Sequence, residues 1–270
     1  MRKVARDIIG SDCRGINMSK IFEALMKADQ TPKSGQRAVK FTPLSAFQNK
    51  RRPIKIDFEL APFMEEQYQK LRRRLAPSPN HPAIKAVMVA ATTHGEGATT
   101  TSAILASMLA KSGHAKILLV DANLRTPALD GVFSEAESPE GLTDVILSDK
   151  PIDTAIYQTN FSNLFLLPVG RPHSSPSYLF DGDPISSLLA TLKERFDFII
   201  FDGAPLDGYS ESFFLASKVD GVILVVESER TKKQVVKKIK KELEWGPINL
   251  LGVVLNKKKN YIPAVIERFL

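Results

Sequence analysis

Nine residues between Thr92 and Thr100 have the composition of a phosphate-binding turn. The stretch Thr-Thr-His-Gly-Glu-Gly-Ala-Thr-Thr follows an apolar run ending at Ala90, and an amphipathic helical pattern continues from it through Ala110. A glycine turn that opens a helix points several backbone N–H groups at one spot, where the helix dipole also favours an anion. The same unit is also an ordinary structural turn, so taken alone it leaves both interpretations open.

Two aspartates stand at the ends of two further apolar runs. Asp121 follows the run 117–120, and Asp202 follows the run 198–201. A carboxylate at the tip of a parallel strand, beside a phosphate loop, is well placed to hold Mg²⁺ directly or through water. Capping of the next turn is the common alternative for such an aspartate. Two such aspartates together with the glycine turn favour a nucleotide site.

Short apolar runs that alternate with helical patterns must position these residues. The runs are apolar on both faces, which is typical of buried parallel strands, and the alternation predicts a doubly wound α/β sheet with right-handed crossovers. Ligands of such a sheet bind beyond the carboxyl ends of its strands, where the glycine turn and both aspartates fall. The predicted strands are 86–90, 117–120, 164–167, 198–201, 222–226 and 250–255.

The residues that precede the sheet divide into three parts. A helix capped by Ser19 runs to about Ala28 and defines an N-terminal segment over residues 1–29. Residues 30–60 are polar and basic, contain Pro32, Pro43 and Pro53, and show no sustained period, which predicts a flexible linker. A second helical pattern follows Pro62 and opens an α/β domain over residues 61–270.

Composition narrows the class of protein. A single cysteine, Cys13, excludes an intramolecular disulfide or a cysteine-rich metal site and fits a reducing cytosol. The longest apolar runs are too short to cross a bilayer, and residues 1–17 have no apolar signal core. The net charge of +7 is concentrated in clusters such as the lysines between 232 and 241. Such a surface can meet nucleic acid, anionic lipid or an acidic protein, or can be a solvated helix face.

The ordered set of motifs resembles the bacterial tyrosine kinases. Gly95-Glu96-Gly97, Asp121-x-Asn123-x-Arg125 and Asp202-x-x-Pro205 are similar to that family's Walker A, Walker A′ and Walker B motifs. The resemblance extends to the segments 18–25, 141–145, 167–170 and 219–222 and to the strand 252–256. It also implies that Met18 is the natural start and that residues 1–17 are an upstream artefact.

The resemblance implies a P-loop NTPase of the SIMIBI type that binds ATP and Mg²⁺ and phosphorylates tyrosines in its own C-terminal tail. It implies a cytoplasmic protein held at the inner face of the plasma membrane by a chain-length co-polymerase of capsule or exopolysaccharide export, with no nucleic acid as partner. The implied metal ligands are Thr99, Asp121 and Asp202, the two aspartates being catalytic. The implied nucleotide-binding residues are Gly95, Glu96, Gly97, Ala98, Thr99, Thr100, Arg125 and Asn256.

Two departures from the family concern phosphoryl transfer. Ala98 stands where the family has the lysine that reaches the β- and γ-phosphates. Removing one preorganised charge donor typically costs on the order of 10²–10³ in rate, whereas the backbone cradle does not depend on that side chain. Asn123 replaces a second aspartate, and an amide cannot act as a carboxylate ligand or base. Another cation can in principle replace the lysine, and the candidates are Lys85, Lys111 and Arg125.

Two further departures concern the acceptor and assembly. Kinase members end in clustered tyrosines, whereas this chain has Tyr261 alone near its end. The family's Glu-x-x-Arg-x-x-Arg oligomerisation motif is present as Glu66, Gln69 and Arg72, without its middle arginine. Self-association through residues 64–75 therefore stays a hypothesis.

Three functions compete at this point. The combined losses favour a regulatory or nucleotide-sensing paralogue of polysaccharide export with weakened or absent kinase activity. An active tyrosine autokinase is the second hypothesis, with Tyr261 or a partner as acceptor. The third is a positioning ATPase that sorts DNA or division sites. Such ATPases carry an additional lysine at the start of the loop, where this chain has Thr92-Thr93-His94.

Overall fold

Seven strands form one sheet in the order β3-β4-β2-β5-β1-β6-β7. This computed structural model describes residues 62–75, 84–111, 113, 115–127, 129, 140–148, 150–171, 179–180 and 182–258. The strands are β1 Ala86–Ala91, β2 Ile117–Ala122, β3 Tyr157–Gln158, β4 Leu164–Leu167, β5 Phe198–Gly203, β6 Gly221–Glu227 and β7 Leu250–Asn256. β3 pairs antiparallel with β4, and every other pairing is parallel.

Helices cover both faces of this sheet. They are α1 Pro62–Leu75, α2 Ala98–Lys111, α3 Leu142–Ser148, α4 Ile152–Ala155, α5 Asp183–Arg195, α6 Ser210–Lys218 and α7 Lys233–Trp245. Buried side chains of α1 and α2 form one core with the inward residues of β1, β2 and β5 on one face. Those of α3 to α7 form a second core on the other face. The doubly wound α/β prediction is confirmed.

The central strands are apolar on both faces because both faces are covered. Every residue of β1, β2 and β5 is buried, as expected for parallel strands between two helical layers. All six predicted strands are present. β3 was missed because two residues are too few to produce a period.

The position of β1 decides where a ligand can bind. β1 lies between β5 and β6, and the chain passes from it to β2 on one side and later to β6 and β7 on the other. The strand order therefore reverses at β1, and the crevice beyond its carboxyl end is the expected ligand site.

The predicted helix after Pro62 is present as α1, and it contributes the buried Leu75 to the core shared with α2. The predicted N-terminal helix, the linker and Tyr261 lie outside the described residues. Among the described residues, no helix is both long and apolar enough to cross a membrane.

Candidate functional site

The glycine turn lies between β1 and α2, at the reversal point of the sheet. Gly95 has a φ of 81° and Gly97 a φ of 94°, a left-handed backbone that L side chains rarely adopt. A Cβ on Gly97 would also lie 2.3 Å from Nδ2 of Asn256. Glycine at position 97 is therefore required by both its conformation and its neighbour. The Thr101 N–H donates to the Gly97 carbonyl at 3.0 Å, which closes the first turn of α2.

The side chain of Glu96 stabilises the glycine turn through buried hydrogen bonds. Its buried carboxylate accepts hydrogen bonds from the Thr92 N–H at 2.8 Å, from the Thr92 hydroxyl at 2.6 Å and from the Thr93 hydroxyl at 3.0 Å. It also accepts one from the Thr231 hydroxyl, in the segment between β6 and α7. Burial acts to raise the pKa of Glu96, but the hydrogen bonds from Thr231, Thr92 and Thr93 outweigh it and leave the pKa below its ordinary value. Glu96 is thus an ionised structural anchor rather than a free ligand.

Side chains at the end of β7 also stabilise the glycine turn, by hydrogen bonds to its backbone carbonyls. Asn256 Nδ2 donates to the Glu96 carbonyl at 2.8 Å, and Lys257 Nζ donates to the Gly95 carbonyl at 2.7 Å. Two consecutive carbonyls are therefore engaged by side chains of β7 and the residue after it. This leaves the turn preformed by the protein itself, which is the arrangement that a backbone anion cradle needs.

A second cation stands beside Lys257. Glu227, the last residue of β6, accepts from Lys257 Nζ at 3.1 Å and from Arg230 Nη1 at 2.9 Å. Arg230 Nη1 would lie 3.5 Å from a Cβ on Gly95, so its guanidinium also flanks the loop. The hydrogen bond from Lys257 is the main cause that lowers the pKa of Glu227. The positive charge at this loop therefore comes from the end of β7 and the segment after β6.

Ala98 begins α2 and is 8% exposed, so its methyl group belongs to the core. Of the three candidate substitutes for the missing lysine, Lys85 precedes β1, about 20 Å from the loop along six strand residues, and its Nζ donates to the Lys193 carbonyl. Lys111 ends α2, also about 20 Å from the loop along the helix, where it stacks over Phe161. Neither lysine reaches the loop. Lys257, in contrast, contacts the loop directly through the Gly95 carbonyl.

Asp202 is buried beside the start of α2. Its Oδ1 accepts from the Ser102 hydroxyl at 3.0 Å, whereas its buried Oδ2 has no hydrogen-bond partner among the described residues. Burial raises the pKa of Asp202 to about 6, while hydrogen bonding by Thr99 and Ser102 acts in the opposite direction. A buried carboxylate oxygen without a partner is costly, and a cation or water there would satisfy it.

Asp121 is the register partner of Asp202 on the adjacent strand. Its Oδ1 accepts from the Asn123 N–H at 3.1 Å and its Oδ2 from the Leu129 N–H at 3.2 Å. Asn123 in turn accepts from the Thr126 N–H through Oδ1 at 3.3 Å. Asp121 therefore caps the segment after β2, which is the common alternative role of an aspartate at a strand end. Only the lone pairs that these hydrogen bonds do not use are left for a metal.

The donor set suits Mg²⁺ held largely by its nucleotide. The described residues contain no group of three or more His, Cys, Asp or Glu side chains that could hold a metal by themselves. Mg²⁺ typically takes one or two carboxylates together with substrate phosphates and water. The unpartnered Oδ2 of Asp202 and the Thr99 hydroxyl next to it fit that pattern.

Arg125 lies in a polar cluster at the edge of the site. Its guanidinium pairs with Glu211, which is 1% exposed, and sits 5.1 Å from the ring centroid of Tyr209. The ring of His94 meets Tyr209 edge to face at 6.1 Å. The hydrogen bond that Arg125 donates to Glu211 is the main cause that raises the pKa of Arg125. Arg125 is thus held by α6, and contact with a nucleotide would require it to exchange partners.

The structure brings most of the predicted residues together. Gly95, Glu96, Gly97, Thr99, Asp202 and Asn256 meet at the turn and the first turn of α2, and Thr100 is exposed on α2. Sequence reasoning missed Ser102, Glu211, Thr231 and Lys257. The adjacency of Lys257 to Asn256 was the one available signal, because both follow the same strand.

A mostly parallel sheet with a glycine turn after β1 and an aspartate at the tip of the neighbouring strand defines a P-loop NTPase domain. A family model described as an AAA domain matches residues 84–245. The tyrosine-protein kinase CpsD of Streptococcus agalactiae is 32% identical over 173 residues, covering 64% of this chain and 75% of that protein. The tyrosine-protein kinase YwqD of Bacillus subtilis is 32% identical over 194 residues, covering 72% and 81%.

Solved structures agree with these relatives. The crystal structure of the chimerical protein CapA2B2 superposes with a TM-score of 0.69 at 26% identity, covering 77% of this chain and 94% of that one. The chain belongs to the bacterial tyrosine kinase family.

Proposed function

We propose that this chain is a nucleotide-binding regulatory subunit of capsule or exopolysaccharide export whose kinase activity is weakened or lost. The observation that carries the proposal is the contrast within one loop. Ala98 supplies a buried methyl group where the family has its catalytic lysine. The backbone of the same loop is nevertheless fixed by Glu96, Asn256 and Lys257.

The intact parts of the site support binding of ATP with Mg²⁺. The N–H groups at the start of α2 are directed at the crevice beyond β1, where the helix dipole favours phosphate oxygens. Asp202 and Thr99 would hold the metal, which supplies charge neutralisation at the phosphates when bound. Gly95, Gly97, Ala98 and Thr100 would contribute through the backbone or the helix end, and Asn256 would face the base side of the loop.

The residues at positions 98 and 123 argue against phosphoryl transfer. The lysine position is apolar, and Asn123 accepts hydrogen bonds from its own segment instead of offering a carboxylate. Lys257 and Arg230 flank the turn at Gly95, whereas the family lysine would extend from position 98. Their charge favours an anion nearby but does not restore the family geometry.

The family relationship supports a membrane partner. We propose a chain-length co-polymerase as that partner, with this chain peripheral at the inner face of the plasma membrane and without nucleic acid as a ligand. Self-association would use α1, in which Glu65, Glu66 and Lys70 are exposed and Glu66 pairs with Lys70. The buried Leu75 shows that another part of this helix is committed to the core.

Calorimetric titration with ATP and Mg²⁺ tests the proposal on wild type and on Ala98→Lys. We expect binding without transfer in wild type, and tighter binding with measurable transfer in the variant, because the lysine returns to a preformed cradle. A wild type that transfers phosphate at the rate of the variant would overturn it. A chain that binds no nucleotide in either form would show that the loop is only a structural turn.

An active autokinase is the second candidate, favoured by relatives that are tyrosine-protein kinases and by the intact Asp202 and Thr99. It requires phosphate on Tyr261 or on a partner. Incubation with labelled ATP and Mg²⁺, with and without the membrane partner, distinguishes the two candidates. Label on the wild-type chain that is lost in Asp202→Asn would establish the kinase.

A further inference from the structure

Helix α7 carries a basic stripe on the side opposite its core face. Ile239 and Leu243 are its buried residues. Residues four apart in a helix lie one above another on one face, each turned by only about 40°. Lys233, Lys237, Lys241 and Trp245 have that spacing, and all four are exposed. We name these four residues the α7 stripe.

Trp245 ends the stripe and is 65% exposed. Its ring is approached by Lys241 Nζ, 5.5 Å from the ring centroid. Tryptophan has one of the largest apolar surfaces of any side chain and is highly buried on average. A tryptophan beside a lysine on an outward helix face is therefore a sign of an interaction surface rather than of the core.

Two apolar side chains lie on the same face of the sheet as α7. Val253 is 54% exposed and Leu255 is 56% exposed. In the sheet register they neighbour Leu224 and Val226, which share a core with Ile239 and Leu243 of α7. β7 is the last strand of the sheet. The exposed pair and the α7 stripe therefore occupy the same side of the molecule at its β7 edge.

Only some of the α7 lysines have an acidic partner. Lys238 pairs with Asp207 and Lys240 lies near Glu244, so these two lysines of α7 have acidic partners. Among the described residues, the lysines of the α7 stripe have no ion pair. The lysines without an acidic partner are thus those of the α7 stripe.

We propose that the α7 stripe, together with Val253 and Leu255, docks directly on an anionic lipid surface. Lysines that flank a tryptophan and aliphatic side chains are the composition of a helix lying in a membrane interface. The lysines meet the negative surface potential, while the tryptophan and the aliphatic pair reach the headgroup boundary. A protein interface favours tryptophan but is depleted in lysine, whereas an anionic membrane surface takes tryptophan and lysine together. None of these residues belongs to the proposed nucleotide site, although Leu255 directly precedes Asn256 in β7.

Trp245 is the only tryptophan of the chain, so its fluorescence reports on the proposed surface without labelling. The full-length chain is titrated with vesicles of phosphatidylcholine containing one third phosphatidylglycerol and with vesicles of phosphatidylcholine alone. We expect co-sedimentation and a blue shift of the emission with the anionic vesicles only. Both should weaken as salt rises, because surface charges are screened.

Two triple variants test the residues. Lys233→Gln/Lys237→Gln/Lys241→Gln should weaken vesicle binding by about a hundredfold, since a lysine near an anionic surface contributes about fivefold. The control Lys70→Gln/Lys116→Gln/Lys218→Gln removes the same charge from exposed lysines elsewhere and should retain binding to within a few-fold. Val253→Ser/Leu255→Ser should weaken binding while leaving its salt dependence unchanged.

Several outcomes would overturn the proposal. Equal losses in the two triple variants would show that net charge, and not this surface, attracts the vesicles. Binding with an unshifted Trp245 emission would place the contact elsewhere on the chain. A blue shift produced by soluble polyglutamate or duplex DNA, but not by anionic vesicles, would assign the surface to a different class of partner. Circular dichroism of each variant verifies that it is folded.

Discussion

The side-chain ammonium of Lys257 donates to the carbonyl oxygen of Gly95 at 2.7 Å. The residue after the last strand of the sheet therefore holds the loop that follows the first strand. Asn256 makes the adjacent contact to the Glu96 carbonyl. The loop that would bind phosphate is thus controlled from β7, and the consequences can be measured.

Lys257→Met should lower the affinity for ATP with Mg²⁺ by about threefold to tenfold, because the variant loses a charge-assisted hydrogen bond to the loop. The lysine is half exposed, and solvent screening limits the effect. Lys240→Met, on an exposed surface pair with Glu244, is the matched control and should leave the affinity unchanged. Titration calorimetry measures both. An unchanged affinity in Lys257→Met would show that the loop keeps its shape without this contact.

Glu96→Gln should destabilise the fold by about 1–3 kcal/mol, the cost of leaving buried donors unsatisfied. The amide replaces one acceptor oxygen by a donor that faces Thr92, Thr93 and Thr231. Thr231→Val removes a single donor and should cost less. Urea unfolding measures the two free energies. Equal losses in the two variants would mean that the Thr231 contact dominates the cluster.

The pH dependence of Glu96 has a definite sign. Its pKa lies below the ordinary value in the folded chain. Its contribution to stability is therefore complete above the unfolded pKa, near pH 4.5, and is lost as pH falls through the folded pKa. Wild type should lose more stability than Glu96→Gln on acidification below about pH 4.5.

Asp202 should show the opposite sign. Its pKa is raised from 3.8 to about 6 in the folded chain. Between pH 3.8 and about pH 6 the folded chain therefore keeps a proton on Asp202 that the unfolded chain has released. Stability from this group falls as pH rises from about 4 to 6, by on the order of 3 kcal/mol. Asp202→Asn should therefore be more stable than wild type at pH 8 and should lose the Mg²⁺ dependence of nucleotide binding.

Asp121→Asn is the control for that experiment. Both oxygens of Asp121 accept backbone N–H groups, so an amide nitrogen there would face a donor. We expect Asp121→Asn to be destabilised at both pH 5 and pH 8. Thermal unfolding at the two pH values measures the difference. The assignment of Asp202 fails if its asparagine variant loses stability equally at both pH values.

Gly97→Ala should distort the loop because its φ is 94° and the new Cβ would lie 2.3 Å from Asn256 Nδ2. Asn256→Ala removes the second obstacle but not the first. Gly97→Ala should therefore cost less nucleotide affinity when it is made in Asn256→Ala than when it is made in wild type. Complete additivity of the two changes would show that the side chains do not meet.

The sheet and the position of the site could be predicted from the sequence. The runs that became β1, β2, β4, β5 and β6 are apolar on both faces, and only a sheet covered by helices on both sides buries both faces. β7 lies at the edge of the sheet and differs, because Val253 and Leu255 are exposed. Once the strands are parallel, their carboxyl ends share one edge, which brings the glycine turn and Asp202 together. The separation of Lys85 and Lys111 from the loop also follows from the lengths of β1 and α2.

The partners of the site residues could not be predicted. The contact of Thr231 with Glu96 spans 135 positions, and that of Lys257 with Gly95 spans 162. No local period encodes such separations, since they depend on the strand order. Arg125, which the resemblance assigns to the nucleotide, pairs with Glu211, because a buried carboxylate on α6 requires a cation. The antiparallel strand β3 is defined by its pairing with β4, and its two residues are too few to show a hydrophobic period in the sequence.

The shape of the loop and its reactivity are encoded by different residues. Glu96, Asn256 and Lys257 fix the backbone, whereas position 98 contributes only a methyl group to the core. A substitution at position 98 can therefore change the charge offered to a phosphate while the contacts that shape the loop are kept. In evolutionary terms, selection can act on the charge of the site and on the shape of the site separately.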